Sequence, residues 1–133
     1  MFKYIKFNRV EIEFTVLEFR GRDEVVKVNY FDKDVVSISS ENEADIDVLI
    51  AKQSPEIECV EITQNEFKTI VTSSAQLTRI RDVVKAEIAK KYDNPDEIAI
   101  SKRSDTDVKK VDYNAYIVKC IAIGTELKDT IGY

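Results

Sequence analysis

The first 40 residues alternate between apolar and polar side chains, as β-strands with one buried face do. Apolar residues occupy alternate positions at Val10, Ile12, Phe14 and Val16. This spacing predicts a single strand with a polar outer face. Apolar character then moves to the opposite phase at Leu17 and Phe19. Such a shift predicts a bulge, or a strand that becomes buried on both faces.

Further strands are predicted on both sides of this one. Gly21 marks the first turn, and alternation resumes over residues 26–30. A short strand follows at 35–38, and residues 1–7 are another candidate, although neither of their faces is clearly polar. Farther along, the β-branched residues of segment 56–62 predict one more strand between two helices.

The rest of the chain predicts helices, each of which begins at a capping signal. A Ser or Thr followed three positions later by Glu or Gln can satisfy free amides at a helix start. Such signals begin at Ser40, Thr63 and Ser73, and Asn94 before Pro95 is a fourth start. The clearest apolar stripe follows the third signal, at Leu77, Ile80, Val84 and Ile88.

A last helix is predicted from Val108 to Leu127. Gly124 interrupts its apolar stripe, which predicts a kink or close packing at that position. Gly132 suits a helix stop near the C-terminus. The pattern as a whole predicts an α+β fold, in which an N-terminal antiparallel β-sheet precedes a mainly helical C-terminal half. It also predicts a β-rich module at 1–40 and a helical part at 41–133 with a strand near 56–62, or one single domain containing both.

Composition narrows the chemistry that is open to this fold. The 133 residues include no histidine and three glycines, and their formal net charge is −5. Without histidine there is no imidazole base or imidazole metal ligand, and three glycines leave no glycine-rich phosphate loop. The acidic total argues against a protein that coats nucleic acid. No apolar run approaches the length of a membrane span, and we expect neither a signal peptide nor a cofactor.

Carboxylate pairs are the first candidates for a site. They occur at Glu11 and Glu13, Asp32 and Asp34, Asp45 and Asp47, and Glu56 and Glu58. Paired carboxylates can act as acid and base or hold a divalent cation. The offsets and the glycine of a calcium loop are missing, and the alternation favours solvated strand faces. We therefore predict no catalytic and no metal-binding residue.

Basic residues, serines and cysteines have similar structural interpretations. Five cations, at Arg79, Arg81, Lys85, Lys90 and Lys91, follow the predicted long helix and indicate a solvated face with local ion pairs. Serine pairs at 39–40 and 73–74 lie where helix caps belong. Cys59 and Cys120 are far apart in sequence, have no neighbouring base, and are expected to be small buried hydrophobic residues.

Seven aromatic residues lie within the first 31 positions, and three tyrosines lie near the C-terminus. The first group is Phe2, Tyr4, Phe7, Phe14, Phe19, Tyr30 and Phe31. A β-module with this many aromatic residues can use them as its core, or can present some at an edge that pairs with another chain. The same two interpretations apply to Tyr113, Tyr116 and Tyr133.

Three segments in the second half combine a strand, two helix starts and a terminal helix. They are EITQNEF at 61–67, SAQLTRI at 74–80 and YIVKCIAIG at 116–124. In these segments the chain resembles small tailed-bacteriophage proteins of the tail and tail-assembly type, over roughly residues 56–133. The resemblance implies a non-enzymatic virion or assembly component that acts by protein–protein contact. It carries over no functional residues.

We therefore expect a bacteriophage structural or tail-assembly protein whose partners are other phage proteins or further copies of itself, without nucleic acid or membrane. An exposed edge strand would suit a closed ring or tube. The expected location is the virion or the host cytoplasm. The alternative is a small acidic regulator or inhibitor that binds a basic surface of a host protein. An enzyme would need a catalytic set without histidine, and we do not expect one.

Overall fold

The computed structural model describes residues 1–21 and 24–133. The strands are β1 (Phe2–Phe7), β2 (Val10–Ile12), β3 (Thr15–Leu17), β4 (Lys27–Tyr30), β5 (Val35–Ser39) and β6 (Cys59–Ile62). The helices are α1 (Glu43–Ala51), α2 (Gln64–Val71), α3 (Ala75–Ala89), α4 (Asn94–Ser101) and α5 (Val108–Thr130). The predicted α+β class is confirmed, with the antiparallel sheet first and most of the helical residues after it.

Four strands form one antiparallel sheet in the order β4-β5-β1-β6. β1 lies in the middle, where Tyr4 is opposite Ser37 of β5 on one side and Ile62 of β6 on the other. A central strand is covered on both faces, which explains why residues 1–7 have no clearly polar face. In β5 the residues from Val35 to Ile38 are all buried.

α1 covers one face of this sheet. Its Ile46 and Leu49 pack with Ile5, Val36 and other apolar residues into one cluster. At the margin of this contact the Lys3 ammonium lies 2.9 Å from both Glu43 and Asp47 of α1. These two carboxylates raise the pKa of Lys3, so the lysine stays charged where it joins strand and helix.

Aromatic rings form the core on the opposite face. Phe67 of α2 is fully buried, 4.6 Å from the ring of Tyr4 and 5.3 Å from the ring of Phe31 between centroids. Residues 131–133 close the same side. The Tyr4 hydroxyl donates to the Gly132 carbonyl at 2.6 Å, and the Ser37 hydroxyl donates to the Ile131 carbonyl at 2.6 Å. The C-terminal segment therefore completes the core around β1 and β5.

The single strand predicted from residue 10 onward is wrong. The chain reverses after Ile12, and β2 and β3 form a separate two-stranded hairpin in which Ile12 is opposite Thr15. The two-residue loop is Glu13 and Phe14, with Glu13 at φ 54°. The change of apolar phase after Val16 therefore comes from a reversal of the chain and not from a bulge.

One predicted helix cap is confirmed, and three are displaced by one or two residues. Thr63 accepts from the backbone N–H of Glu66 at the start of α2, as predicted. At α3 the cap is Ser74 and not Ser73, since Ser74 accepts from the backbone N–H of Leu77. At α1 the cap is Asn42 and not Ser40, and at α4 it is Asp93 and not Asn94. Asn, Asp and Ser are similarly good N-cap residues, so a suitable side chain one or two positions away can take the capping role.

The strand predicted at 56–62 is shorter than expected. The backbone N–H of Ile57 donates to the Ser54 carbonyl at 3.0 Å, which forms a turn after the end of α1. Only residues from Cys59 onward pair with β1. The first half of the β-branched segment is therefore a turn that buries Ile57.

The chain forms two compact units. The first contains Met1–Leu77 together with Ile131–Tyr133, and the second contains Thr78–Thr130. The sheet, the hairpin, α1 and α2 belong to the first unit, and α4, α5 and most of α3 belong to the second. Residue 40 therefore lies inside the first unit, between β5 and α1.

Candidate interaction surfaces

The carboxylates that the sequence singled out have structural partners at several positions. Asp32 accepts from the backbone N–H of Ala75 at 3.1 Å, and Asp34 lies 3.3 Å from the guanidinium of Arg9. Asp47 pairs with Lys3, as described above. Over residues 1–21 and 24–133, no three acidic or cysteine side chains come together as a metal ion would require.

Another of the acidic pairs, Glu56 and Glu58, lies in the turn before β6. The Ser54 hydroxyl donates to the Glu56 carboxylate, and this hydrogen bond lowers the pKa of Glu56. The backbone N–H of Glu58 donates to the side chain of Asn8. These contacts fasten the turn to the chain beside β1.

The cysteines are both free thiols. Cys120 is buried in the second unit, and Cys59 is half-buried against the core of the first. Burial raises the pKa of the Cys59 thiol, which lowers its thiolate fraction at neutral pH. Nothing in the described surroundings of Cys59 therefore favours a nucleophile.

Tyrosines join α4 and α5 to the end of α3 inside the second unit. The Tyr113 hydroxyl donates to the Glu97 carboxylate at 2.5 Å, and this hydrogen bond raises the pKa of Tyr113 to about 12. The Tyr92 ring meets the rings of Tyr113 and Tyr116 edge-on, with centroids 5.0 and 5.6 Å apart. Tyr113 and Tyr116 are thus internal contacts, while Tyr133 lies beside Lys68 in the first unit.

The two ends of the five-residue basic stretch have different surroundings. Lys90 forms an ion pair with Glu87, and Lys91 lies over the Tyr116 ring at 5.1 Å from its centroid. Arg81 and Lys85 instead line a groove of the second unit. All five cations are exposed, which agrees with the predicted solvated face, and Arg81 and Lys85 also border this groove.

The hairpin of β2 and β3 is the most exposed apolar feature of the first unit. All side chains from residue 11 to residue 16 are exposed, and Phe14 at the tip is 104% exposed. Ile12 and Val16 beside it are 46% and 39% exposed. Arg9 fixes the base of the hairpin by an ion pair with Glu18 at 3.4 Å. We call residues 11–16 the hairpin tip.

The conformation of Glu13 holds this tip in place. Its φ of 54° lies in the left-handed region, which costs a non-glycine residue roughly 1–2 kcal/mol. Two-residue hairpin loops need such an angle at their first position. The positive φ of Glu13 therefore makes the reversal that leaves the Phe14 side chain in solvent.

The two edge strands of the four-stranded sheet each expose one large apolar side chain, Tyr30 in β4 and Val60 in β6. β4 and β6 are the edge strands. In β6 the exposed Val60 is followed by Glu61, and Glu58 lies two residues before it. Charges at an edge discourage pairing with a further strand. A wide depression of about 1030 Å³ beside β4 is lined by Gly21, Glu24 and Lys27 among others, and we assign no site to it.

A narrower groove lies between α3 and α5 inside the second unit. Its volume is about 290 Å³, and its apolar lining comes from Ile80, Val84, Ile121 and Gly124. Gly124 permits the two helices to approach closely, because a Cβ at this position would lie 2.7 Å from Cγ2 of Val84. Close packing, rather than a kink, is thus the role of Gly124.

Three cations surround this apolar groove. Arg81 and Lys85 of α3 line one side, Lys128 of α5 lines the other, and none of the described lining residues is acidic. We call this feature the basic groove. Charge is also divided unevenly between the units: the first has 9 Lys and Arg against 15 Asp and Glu, and the second has 11 against 10.

The hairpin tip and the basic groove were both missed by pattern analysis. Phe14 was predicted to be one more apolar position in a strand, because Glu13-Phe14 contains none of the Gly, Asn or Asp residues that are typical of a hairpin turn. The groove needs the pairing of two helices that are distant in sequence. Spacing on α5 did carry a signal, since Ile121, Gly124 and Lys128 recur at intervals of three and four and share a face.

Comparison with known proteins identifies no relative. No family model, curated protein or solved structure matches the chain. Within the described residues, no helix has both the length and the apolar character that crossing a bilayer demands. The exposed hairpin tip and the basic groove are therefore the features that bear on function.

Proposed function

We propose that the protein is a non-enzymatic structural or tail-assembly component of a bacteriophage, and that it works through contacts with other proteins. The observation that supports this proposal is the fully exposed Phe14 at the hairpin tip. Large apolar side chains gain about 1.5–3 kcal/mol when they leave water. Binding of a partner that covers Phe14 gains this free energy, which folding of the chain alone does not.

The surroundings of Phe14 favour a contact role over a structural one. Phe7, Phe19 and Phe31 are buried in the first unit, as core residues are. Phe14 differs from them, because every neighbour from residue 11 to residue 16 is also exposed. Aromatic side chains at protein interfaces contribute much of the binding energy.

The bacteriophage setting of the proposal comes from the sequence resemblance at 61–67, 74–80 and 116–124. The first of these segments spans the end of β6 and the start of α2, the second spans the start of α3, and the third lies within α5. None of them includes the hairpin tip. The structure therefore supports the contact surface, and the sequence resemblance supports the biological setting.

Binding to the products of neighbouring genes tests this function. Each neighbouring protein is purified and passed over the immobilised full chain, as wild type, Phe14→Ser or Val118→Ser. Val118 is the matched control, since it is exposed on α5 and does not line the basic groove. We expect a tail or capsid protein to bind wild type and the control, and to bind Phe14→Ser about tenfold more weakly. A chain that binds none of them and does not self-associate contradicts the proposal.

A small acidic regulator of a host protein is the second candidate. The acidic excess of the first unit favours it, because a concentrated negative charge steers a protein toward a basic surface. Binding of this kind weakens steeply as salt rises from about 0.05 to about 0.5 M. A host partner that binds in this salt-dependent way, with equal affinity for wild type and Phe14→Ser, would support the regulator over the tail component.

A further inference from the structure

We propose that the hairpin tip of one copy docks in the basic groove of a second copy, with Phe14 inserted between α3 and α5. This inference rests on the proposed function and names the partner as the chain itself. The two surfaces belong to different units, so each copy carries one of each.

The groove is large enough for an aromatic ring. An engineered cavity of about 150 Å³ holds a benzene molecule. The basic groove has a volume of about 290 Å³ and an apolar floor. The ring of Phe14 has no contacts to lose on docking, because it is fully exposed at the tip. Insertion therefore removes apolar surface from water on both partners.

Charge complementarity favours this occupant. Glu11 and Glu13 of the tip lie near Phe14 in the sequence, and both are exposed. Arg81, Lys85 and Lys128 surround the groove, and its described lining contains no carboxylate. An aromatic side chain with acidic neighbours thus meets an apolar floor with a cationic border. Opposite charges around an apolar contact fix its orientation and disfavour other partners.

The contact is head-to-tail, which determines the kind of assembly. A surface that binds a different surface on the next copy leaves one tip and one groove unused in every dimer. Such a contact continues until a ring closes or a filament forms. A tail component that builds a ring or tube needs this type of contact, and an isologous dimer does not supply it.

Four variants separate this contact from other modes of association. Phe14→Ser removes the aromatic ring of the hairpin tip, and Lys85→Glu reverses one positive charge beside the basic groove. Val118→Ser and Lys119→Glu are the controls. They replace an apolar residue by serine and a lysine by glutamate at exposed positions of α5 that do not line the groove. All four positions are on the surface or half exposed, and far-UV circular dichroism of each variant checks that the fold is kept.

Sedimentation equilibrium of the full chain, from about 1 μM to about 1 mM, measures the association. We expect the mass of wild type and of both control variants to rise with concentration. Phe14→Ser and Lys85→Glu should each weaken association at least about tenfold. A mixture of these two variants should form a one-to-one heterodimer and nothing larger, because only the tip of Lys85→Glu and the groove of Phe14→Ser remain functional.

Three results would overturn the inference: a wild type that is monomeric over the whole range, a Phe14→Ser variant that associates like wild type, or a mixture without heterodimer. The second result is also what pairing through the β4 or β6 edges would give. A monomeric wild type that still binds a tail protein through Phe14 overturns this inference and leaves the proposed function standing. Self-association through Phe14 without binding to any tail protein would uphold this inference and leave the phage setting unsupported.

Discussion

Single residues determine how closely the helices of the second unit pack. Gly124 is the clearest case, since Cγ2 of Val84 occupies the space that a Cβ would need. Val84 is β-branched and has one strongly preferred rotamer in a helix, so it does not turn away easily. The missing side chain at residue 124 therefore sets the distance between α3 and α5, and with it the width of the basic groove.

Gly124→Ala should destabilise the protein, although alanine is the better helix former. The gain in helix propensity is about 1 kcal/mol, and overpacking costs about 1–3 kcal/mol. We expect a net loss of about 1 kcal/mol in the free energy of unfolding, measured by urea denaturation. In a Val84→Ala background the same change should become stabilising. An identical loss in both backgrounds would contradict the assigned contact.

At the level of secondary-structure elements, the hairpin combines backbone strain with exposure. Residues 11–16 have few neighbours beyond the hairpin itself, and Glu13 adopts a left-handed angle at its reversal. Strained residues persist where the surroundings hold them and often lie at functional positions. Here the strain and the exposed aromatic residue are adjacent in the same two-residue loop.

Glu13→Gly should stabilise the hairpin, because glycine adopts a positive φ without a steric penalty. Part of that gain is lost to the greater freedom of the unfolded chain, so we expect about 0.5–1 kcal/mol. Thermal and urea unfolding measure the change. Glu13→Ala is the control, since it removes the same charge and keeps the strain. Equal stabilisation by both variants would mean that charge, and not the backbone, is responsible.

Most elements were predictable because their periodicity is local. The α2 start follows from Thr63, and the α3 start lies one residue after the predicted cap at Ser73. The burial of Phe67 and Leu77 follows from the apolar stripes after these starts. The hairpin reversal was not predictable, because Glu13 carries none of the composition that marks a left-handed turn. Its neighbour Phe14, the main residue of the candidate site, was therefore assigned to a strand.

The basic groove could not be predicted from the sequence for a different reason. It needs α3 and α5 to lie side by side, and periodicity gives the buried face of a helix without naming its neighbour. Gly124 did indicate close packing. The identity of the opposing residue, Val84, depends on tertiary structure alone.

At the scale of the whole molecule, residues 131–133 connect distant parts of the sequence. They belong to the same unit as the first 77 residues, from which the second unit separates them. Their carbonyls accept from Tyr4 and Ser37, and Gly132 adopts a φ of 79° against the ring of Phe2. The stability of the first unit therefore depends on a segment that lies outside its main stretch of sequence.

Deleting residues 131–133 should lower the free energy of unfolding by at least about 2 kcal/mol. The Tyr4 and Ser37 hydroxyls lose their acceptors, and a buried group without a partner costs about 1–3 kcal/mol. Urea denaturation of the full and shortened chains measures the loss. Tyr4→Phe should cost less in the shortened chain than in the full one. Equal costs in both would show that the Gly132 carbonyl is not the partner that matters.

The same connectivity has a consequence for synthesis. The ribosome makes residues 78–130 before it reaches Ile131, and at roughly 5–20 residues per second this takes about 3–10 s. During that interval β1 and β5 exist without the segment that covers one side of them. The earliest strands of the chain are thus among the last to be completed, and a nascent chain stalled within α5 would display an unfinished aromatic core to chaperones.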